Sequence, residues 1–483
     1  MSDLAFQPLS GLAGKIASGE LGALELLDHY IGRIETHNDA LNAVVAMDFD
    51  RARKQALKAD AVAKDARGPL HGVPMTVKDA FEVAGIVSTG GISELRNHVP
   101  HQDAAPVARL RAAGAVIMAK TNVPAFSGDW QSYNDIYGKS SNPWDPTRTP
   151  GGSSGGAAAA VAAGLTGGDI GSDIGGSIRL PAHFCGLFGH KPSHGVVPIR
   201  GHMPPAPHAY SEADLAVAGP LGRSAGDLEL LFDILAGDPG DVLRPHAPLR
   251  APRITDPTDL RVAVWLDEPD ASTDEAVAGA VRDAAQALED AGARVDWEAR
   301  PDFRFRDCLT DYLLVLNAIV STDFPPKVID RMARLATELA DDDQGYRALQ
   351  ARGAVLSYRQ LLSIEARRTK IKDAWQSFLQ DFDVVLCPPV SVAAFPHDTS
   401  ANMAARHITV SGAETDYFDL MHWASLATFA HLPATVAPVR RTDDGLPIGV
   451  QIIGGYLEDR TTLGVAAMLE DLLGGFTVPP DYG

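Results

Sequence analysis

The sequence predicts an α/β fold, on three observations. Gly72-Val73-Pro74-Met75-Thr76-Val77-Lys78-Asp79 reads as a turn entering a short buried strand that ends in charge. Asp103 can cap a helix running to Ala113 and closed by Gly114, after which Ala115 to Ala119 form an apolar strand. The strand–helix–strand rhythm returns with Leu260 to Trp265, Asp274 to Gly292 and Ala293 to Trp297.

The other elements fit this frame. Leu24, Leu27, Tyr30, Ile31 and Ile34 recur at helical spacing within residues 22–37. Asp50 to Lys64, rich in Ala, Lys and Arg, reads as a second helix. Ala157 to Ala163 is nearly all alanine between Gly156 and Gly164, a helix without bulk that can pack closely. Residues 300–375 carry long helical patterns, and Val384 to Leu386 and Gly449 to Ile453 read as buried strands. The Pro-rich run from Pro198 to Pro207 reads as a loop. No repeat or low-complexity linker divides the chain.

Composition sets limits. The 483 residues, 45% of them hydrophobic, can bury a large core. A net charge of −20 argues against non-specific binding to nucleic acid or to an anionic membrane. Met1 to Ser10 lack a signal-peptide pattern, and no apolar run reaches the roughly 18 residues of a membrane span. Cys185, Cys308 and Cys387 are odd in number and widely spaced. They suit a reducing, cytoplasmic setting and supply neither a disulfide framework nor a zinc spacing.

The chemistry-bearing segments are two. Gly151-Gly152-Ser153-Ser154-Gly155-Gly156 opens the alanine helix, where free N–H groups favour negative charge. Ser177 stands 24 residues after Ser153 within Asp173-Ile174-Gly175-Gly176-Ser177-Ile178-Arg179. A nucleophilic oxygen beside several bare N–H donors is what attack on a carbonyl requires. Taken alone, the first loop also reads as a simple turn. Gly152-x-Ser154-x-Gly156 matches a nucleophile elbow, but the three prolines in residues 142–150 do not make the strand that an elbow needs. Lys78 reads either as a strand-end lysine reaching water or as a buried neutral base. His183, His190, His194, His202 and His208 raise a metal or a Ser–His pair through His183. Pro192 interrupts the His190–His194 spacing, and structural histidines fit better.

These segments together resemble the amidase signature family. Cys185-Gly186, Gly189-His190-Lys191-Pro192, Lys120-Thr121-Asn122, Asn142-Pro143-Trp144 and Gly445-Leu446-Pro447-Ile448-Gly449-Val450-Gln451 extend the likeness from about residue 10 to 475. The resemblance implies a large mixed twisted sheet covered by helices on both faces. It implies one domain over residues 1–483, with a catalytic core at 70–220 and a variable helical substrate-side segment at 300–375. Two positions depart: His190 stands where the family often has leucine, and Ala430-His431-Leu432-Pro433 replaces Ala/Thr-Gly-Leu-Pro.

By the same resemblance Ser177 is the nucleophile, Ser153 a bridging serine in a cis peptide, and Lys78 the base. The N–H groups of Ile174, Gly175, Gly176 and Ser177 form the oxyanion hole. Lowering the lysine pKa from about 10.4 toward 7–8 costs roughly 3–5 kcal/mol, which burial must supply. Ser127 is expected to touch substrate. Ser154 either holds the loop with Arg179 or is solvated, and Trp130, Tyr133 and Tyr137 line a pocket or fill the core. The expected activity is hydrolysis of a carboxamide or an ester through an acyl-enzyme, with no metal or organic cofactor. Expected partners are a small-molecule amide and a second copy of the chain, with no nucleic acid and no membrane. The alternatives are the amidase subunit of a tRNA-dependent amidotransferase and a non-catalytic binding protein.

Overall fold

A computed structural model describes residues 4–203, 212–236 and 249–483. Pro204, Pro205, Pro207 and His208 lie outside the described residues. A small sheet is built from β1 (Val44–Met47), β2 (Pro74–Lys78) and β3 (Val116–Thr121) in the order β1-β3-β2. Strands β4 (Tyr133–Asn134) and β5 (Gly138–Lys139) form a hairpin. The large sheet takes β6 (Asp169–Asp173), β7 (Phe188–Lys191), β8 (Val217–Gly222), β9 (Arg261–Val264), β10 (Arg294–Asp296) and β11 (Val384–Cys387). After the hairpin β12 (His407–Val410)–β13 (Ala413–Asp416), it is completed by β14 (Ala434–Arg441) and β15 (Pro447–Ile453). Its order is β10-β9-β11-β15-β14-β7-β8-β6, with β9 parallel to both neighbours and the other pairs antiparallel.

Strand periodicity explains the layers. Val262, Val264, Val384, Leu386, Val450 and Ile452 join one core with the helices Ala225–Leu235, Glu275–Asp290 and Asp459–Leu473. The alternate residues Ala263, Val385, Cys387 and Ile453 join another with the helices Phe305–Val320, Tyr358–Asp381 and His422–Phe429. Successive strand side chains point to opposite faces, so both faces are covered. This is the mixed, two-sided α/β sheet expected. No helix among the described residues is long and apolar enough to cross a membrane. The three cysteines are free and buried.

The elements named from the sequence lie close to where it puts them. The first long helix runs Ala23–Leu41, the second Phe49–Asp60 and the alanine helix Gly155–Ala162. Asp103 is a correction. The helix Ala105–Ala112 has Ala104 at its N-cap, without a side-chain cap. Asp103 instead accepts from the Ala84 N–H at 2.8 Å and pairs with Arg111 at 3.1 Å. Pro106 in the first turn lacks an N–H, so one fewer helical donor needs a cap.

Candidate active site

Lys78 ends β2 and is completely buried. Burial draws its pKa down to about 7, with Asp173 and Asp169 pulling the other way. This removes the reading in which Lys78 reaches water. Its backbone N–H donates to Asp169 Oδ1 at 2.9 Å. Asp169 Oδ2 accepts from the hydroxyls of Thr76 (2.6 Å) and Thr121 (3.0 Å), so one carboxylate binds β2, β3 and β6 together beneath the lysine. Burial raises the pKa of Asp169 to about 6, against those two hydroxyls. Lys78 Nζ lies 2.6 Å from Ser153 Oγ and 2.9 Å from Ser172 Oγ. Ser172 Oγ is in turn 2.8 Å from His202 Nε2.

The peptide bond Gly152–Ser153 is cis. Only glycine fits at 152, since a Cβ there would sit 2.5 Å from both Asp129 O and Gln131 N. Ser132 Oγ closes the loop, donating to Gly151 O (3.1 Å) and accepting from Gly155 N–H (3.0 Å). Ser154 makes its contacts with Ser172, whose N–H and O each lie 3.4 Å from Ser154 Oγ, and not with Arg179 as expected. The Ser154 N–H donates to Ser177 O at 3.2 Å and joins the two serine loops. No strand runs into Gly152, so the nucleophile-elbow reading fails on geometry as well.

Asp173 organises the second loop. It accepts from the N–H groups of Gly176 (3.0 Å), Ile178 (3.0 Å) and Arg179 (3.3 Å). The Arg179 guanidinium binds it through two contacts of 2.8 and 3.0 Å. Burial is the largest influence on this carboxyl and would raise its pKa, but Arg179, Lys191 and the Ile178 N–H together outweigh it and hold the value at about 2. Arg179 also donates to Gln451 Oε1 (2.7 Å), Thr428 Oγ1 (2.8 Å) and Ala424 O (3.0 Å). The expectation for Gly176 is thereby corrected, because its N–H is already committed to Asp173. The N–H groups of Ile174, Gly175 and Ser177 donate to no protein atom among the described residues. Two carbonyls of the loop are held from outside: Tyr312 donates its hydroxyl to Ile174 O and Trp130 its indole N–H to Gly175 O, each at 2.9 Å.

Ser177 is 6% exposed, and its hydroxyl makes no hydrogen bond within the described residues, to Ser153 or any other group. Ser127 closes a short turn at φ 54°, and its hydroxyl is buried without a hydrogen-bond partner among the described residues. Trp130 is part of the aromatic core, edge-on to Tyr417 and Phe418. Tyr133 accepts from Arg406 at 2.7 Å, and the carbonyl of Tyr137 accepts from Asn42 at 2.6 Å.

The histidines divide. His183 is buried between the Gly449 N–H (3.0 Å) and Val392 O (3.2 Å), and burial lowers its pKa to about 4. It makes no contact with Ser177, so it is not the base of a Ser–His pair. His190 bonds Thr435 and Asp459. His194, Asp214 and His431 do approach one another closely enough to be metal ligands. The two rings stack face to face at 4.1 Å, so their in-plane lone pairs run side by side instead of converging. Arg368 and Lys372 also crowd His431, and cations there oppose a bound metal. His431 sits at φ 66°, the region glycine favours, which explains the glycine usual at this position. Its ring hydrogen bonds reach Asp214, Arg368 and Lys372, not the serines.

Ser172, Asp169 and Tyr312 went unnoticed in the sequence. Ser172 had a signal, since Asp169-Ile170-Gly171-Ser172-Asp173 is too polar for a buried strand without a task.

The amidase family profile matches residues 25–463. An indoleacetamide hydrolase of Bradyrhizobium diazoefficiens is 33% identical over 475 residues, covering 96% of this chain and 86% of its own. A glutamyl-tRNA(Gln) amidotransferase subunit of Oleidesulfovibrio alaskensis is 32% identical over 497 residues, with 98% and 99% covered. Among solved structures, substrate-bound 6-aminohexanoate cyclic dimer hydrolase superposes with a TM-score of 0.78 at 26% identity, over 99% of this chain and 100% of that one. The chain belongs to the amidase signature family and is an amide-hydrolysing enzyme.

Proposed function

We propose that Ser177 attacks the amide carbonyl while Ser153 accepts its proton and passes its own to Lys78. The observation that carries this reading is the 2.6 Å contact of Ser153 Oγ with a buried lysine whose pKa is drawn down to about 7. A serine hydroxyl is a weak nucleophile until a base takes its proton, and a neutral lysine can do so at neutral pH. The Ile174, Gly175 and Ser177 N–H groups then receive the oxyanion, a donor of this kind being worth roughly 2.7–4 kcal/mol of barrier. Ser153 returns a proton to the leaving amine. Water releases the acyl group along the same path. Ser127 touches the substrate beside this loop.

The whole chain acts as one domain, with its catalytic core at 70–220 and its substrate side at 300–375. It works in the cytoplasm on a small amide, as a homodimer, with no metal or organic cofactor. An amidotransferase subunit is the second reading, motivated by the full-length likeness to the Oleidesulfovibrio alaskensis protein. The test is a fluorophosphonate label followed by peptide mass spectrometry, with the adduct expected on Ser177. An adduct on Ser154 or Ser153 overturns the assignment. The purified chain, assayed against arylacetamides, cyclic amides and glutamine, separates the two readings. Turnover without a partner supports the stand-alone amidase.

A further inference from the structure

We infer that Tyr312 is a positioning residue of the oxyanion hole, its hydroxyl fixing the Ile174–Gly175 peptide so that the Gly175 N–H faces the reacting carbonyl. The inference rests on the reading of Ser177 as nucleophile. Tyr312 lies on the helix Phe305–Val320, within the segment 300–375, and is fully buried. Its hydroxyl donates to Ile174 O at 2.9 Å. Burial pushes the phenol's pKa up, so it remains a donor across the working pH range.

Across a trans peptide, the C=O of one residue and the N–H of the next point in opposite directions. Drawing Ile174 O toward Tyr312 therefore aims the Gly175 N–H away from the helix, toward the side on which it meets no protein acceptor among the described residues. The next peptide differs. Its carbonyl, on Gly175, is held by Trp130, and its N–H, on Gly176, by Asp173, so it is fixed at both edges. The Ile174–Gly175 peptide is fixed only at its carbonyl. Glycine follows it twice, and glycine adopts flipped backbone conformations easily. A flip would replace an N–H donor with a carbonyl oxygen facing the developing negative charge. Tyr312 is the group that opposes this flip.

The experiment is Tyr312→Phe in the full-length enzyme, which keeps the ring and removes the hydroxyl. Three quantities are read: melting temperature, kcat and KM for an amide substrate, and affinity for a trifluoromethyl ketone that forms a tetrahedral adduct on the nucleophile. With the fold retained, kcat is expected to fall about tenfold or more, because one oxyanion donor loses its alignment. KM is expected to stay within twofold, and ketone affinity to fall by the same factor as kcat. A purely structural tyrosine would lower the melting temperature and leave ketone affinity relative to KM unchanged, and that result overturns the proposal. So does a variant indistinguishable from wild type. If Tyr312→Phe does not fold, Tyr312→Met is read in its place by the same ratio of ketone affinity to KM. Fluorophosphonate labelling of the wild type separates this failure from that of the underlying reading. Label on Ser177 with an unaffected Tyr312→Phe sinks the role of Tyr312 alone, whereas a wild type unlabelled at Ser177 sinks the nucleophile assignment itself.

Discussion

Two buried lysines, Lys78 and Lys191, differ in one respect that matters. Both are completely buried, and burial brings both to a pKa of about 7. Both lie near Asp173. Lys191 Nζ, on β7, donates to the carbonyl of Pro192 at 3.0 Å. Lys78 Nζ faces two hydroxyls, those of Ser153 and Ser172. A carbonyl only accepts and has no proton to give, so Lys191 cannot act as a base toward it. A hydroxyl both donates and accepts, so Lys78 can take a proton from one side while held on the other. A lowered pKa marks burial, and the neighbouring atom decides whether that burial serves chemistry.

The strongest way to break this comparison is Lys78→Ala. If Lys78 is the base, kcat/KM should fall by about 10³-fold or more with circular dichroism unchanged. Lys78→Arg should not restore it, because guanidinium stays protonated. Near-normal turnover in either variant would end the Ser–Ser–Lys assignment. The pH profile comes next. Below a pH of about 7 Lys78 carries a proton and cannot accept another, so kcat/KM should drop up to tenfold per unit and level off above it. Since Lys191 titrates in the same range, the limb alone does not identify its owner. Lys191→Met sharpens the comparison and should have the smallest effect. The limb should stay in place, kcat/KM should stay within about threefold, and the melting temperature should hold or rise, since an apolar side chain avoids the lysine's desolvation cost. A limb that vanishes with Lys191 would transfer the base to β7.

Much of the site was legible because its parts lie in local patterns. Lys78 closes an apolar strand, Ser153 and Ser177 stand among glycines, and the alanine run forms the helix behind them. What the sequence hid is non-local. Tyr312 reaches Ile174 across 138 residues, and His202 reaches Ser172 across 30. Gly176 misleads because its N–H looks free until Asp173 folds back across three residues. Of the strands not read from the sequence, which also include β1, β4 to β7, β12 and β13, β8 and β14 have a local reason. Pro220 and Pro438 argue against strands, yet β14 carries an irregularity between Pro438 and Arg440 that accommodates the missing donor. His431 announced itself only as a departure from glycine, and its positive φ became visible in the fold.

The large sheet has its last-made strands in the middle. β14 and β15 stand between β11 and β7, and without them β10-β9-β11 and β7-β8-β6 are separate pieces. Gln451 of β15 is also one of the groups that hold Arg179, 272 residues earlier. A growing chain that has left the ribosome through Cys387 carries every proposed catalytic side chain but not Ala424, Thr428 and Gln451, which hold Arg179. Contacts this distant in sequence form slowly and late. The last holds on Arg179 therefore arrive only when synthesis is nearly complete and the two half-sheets can be joined.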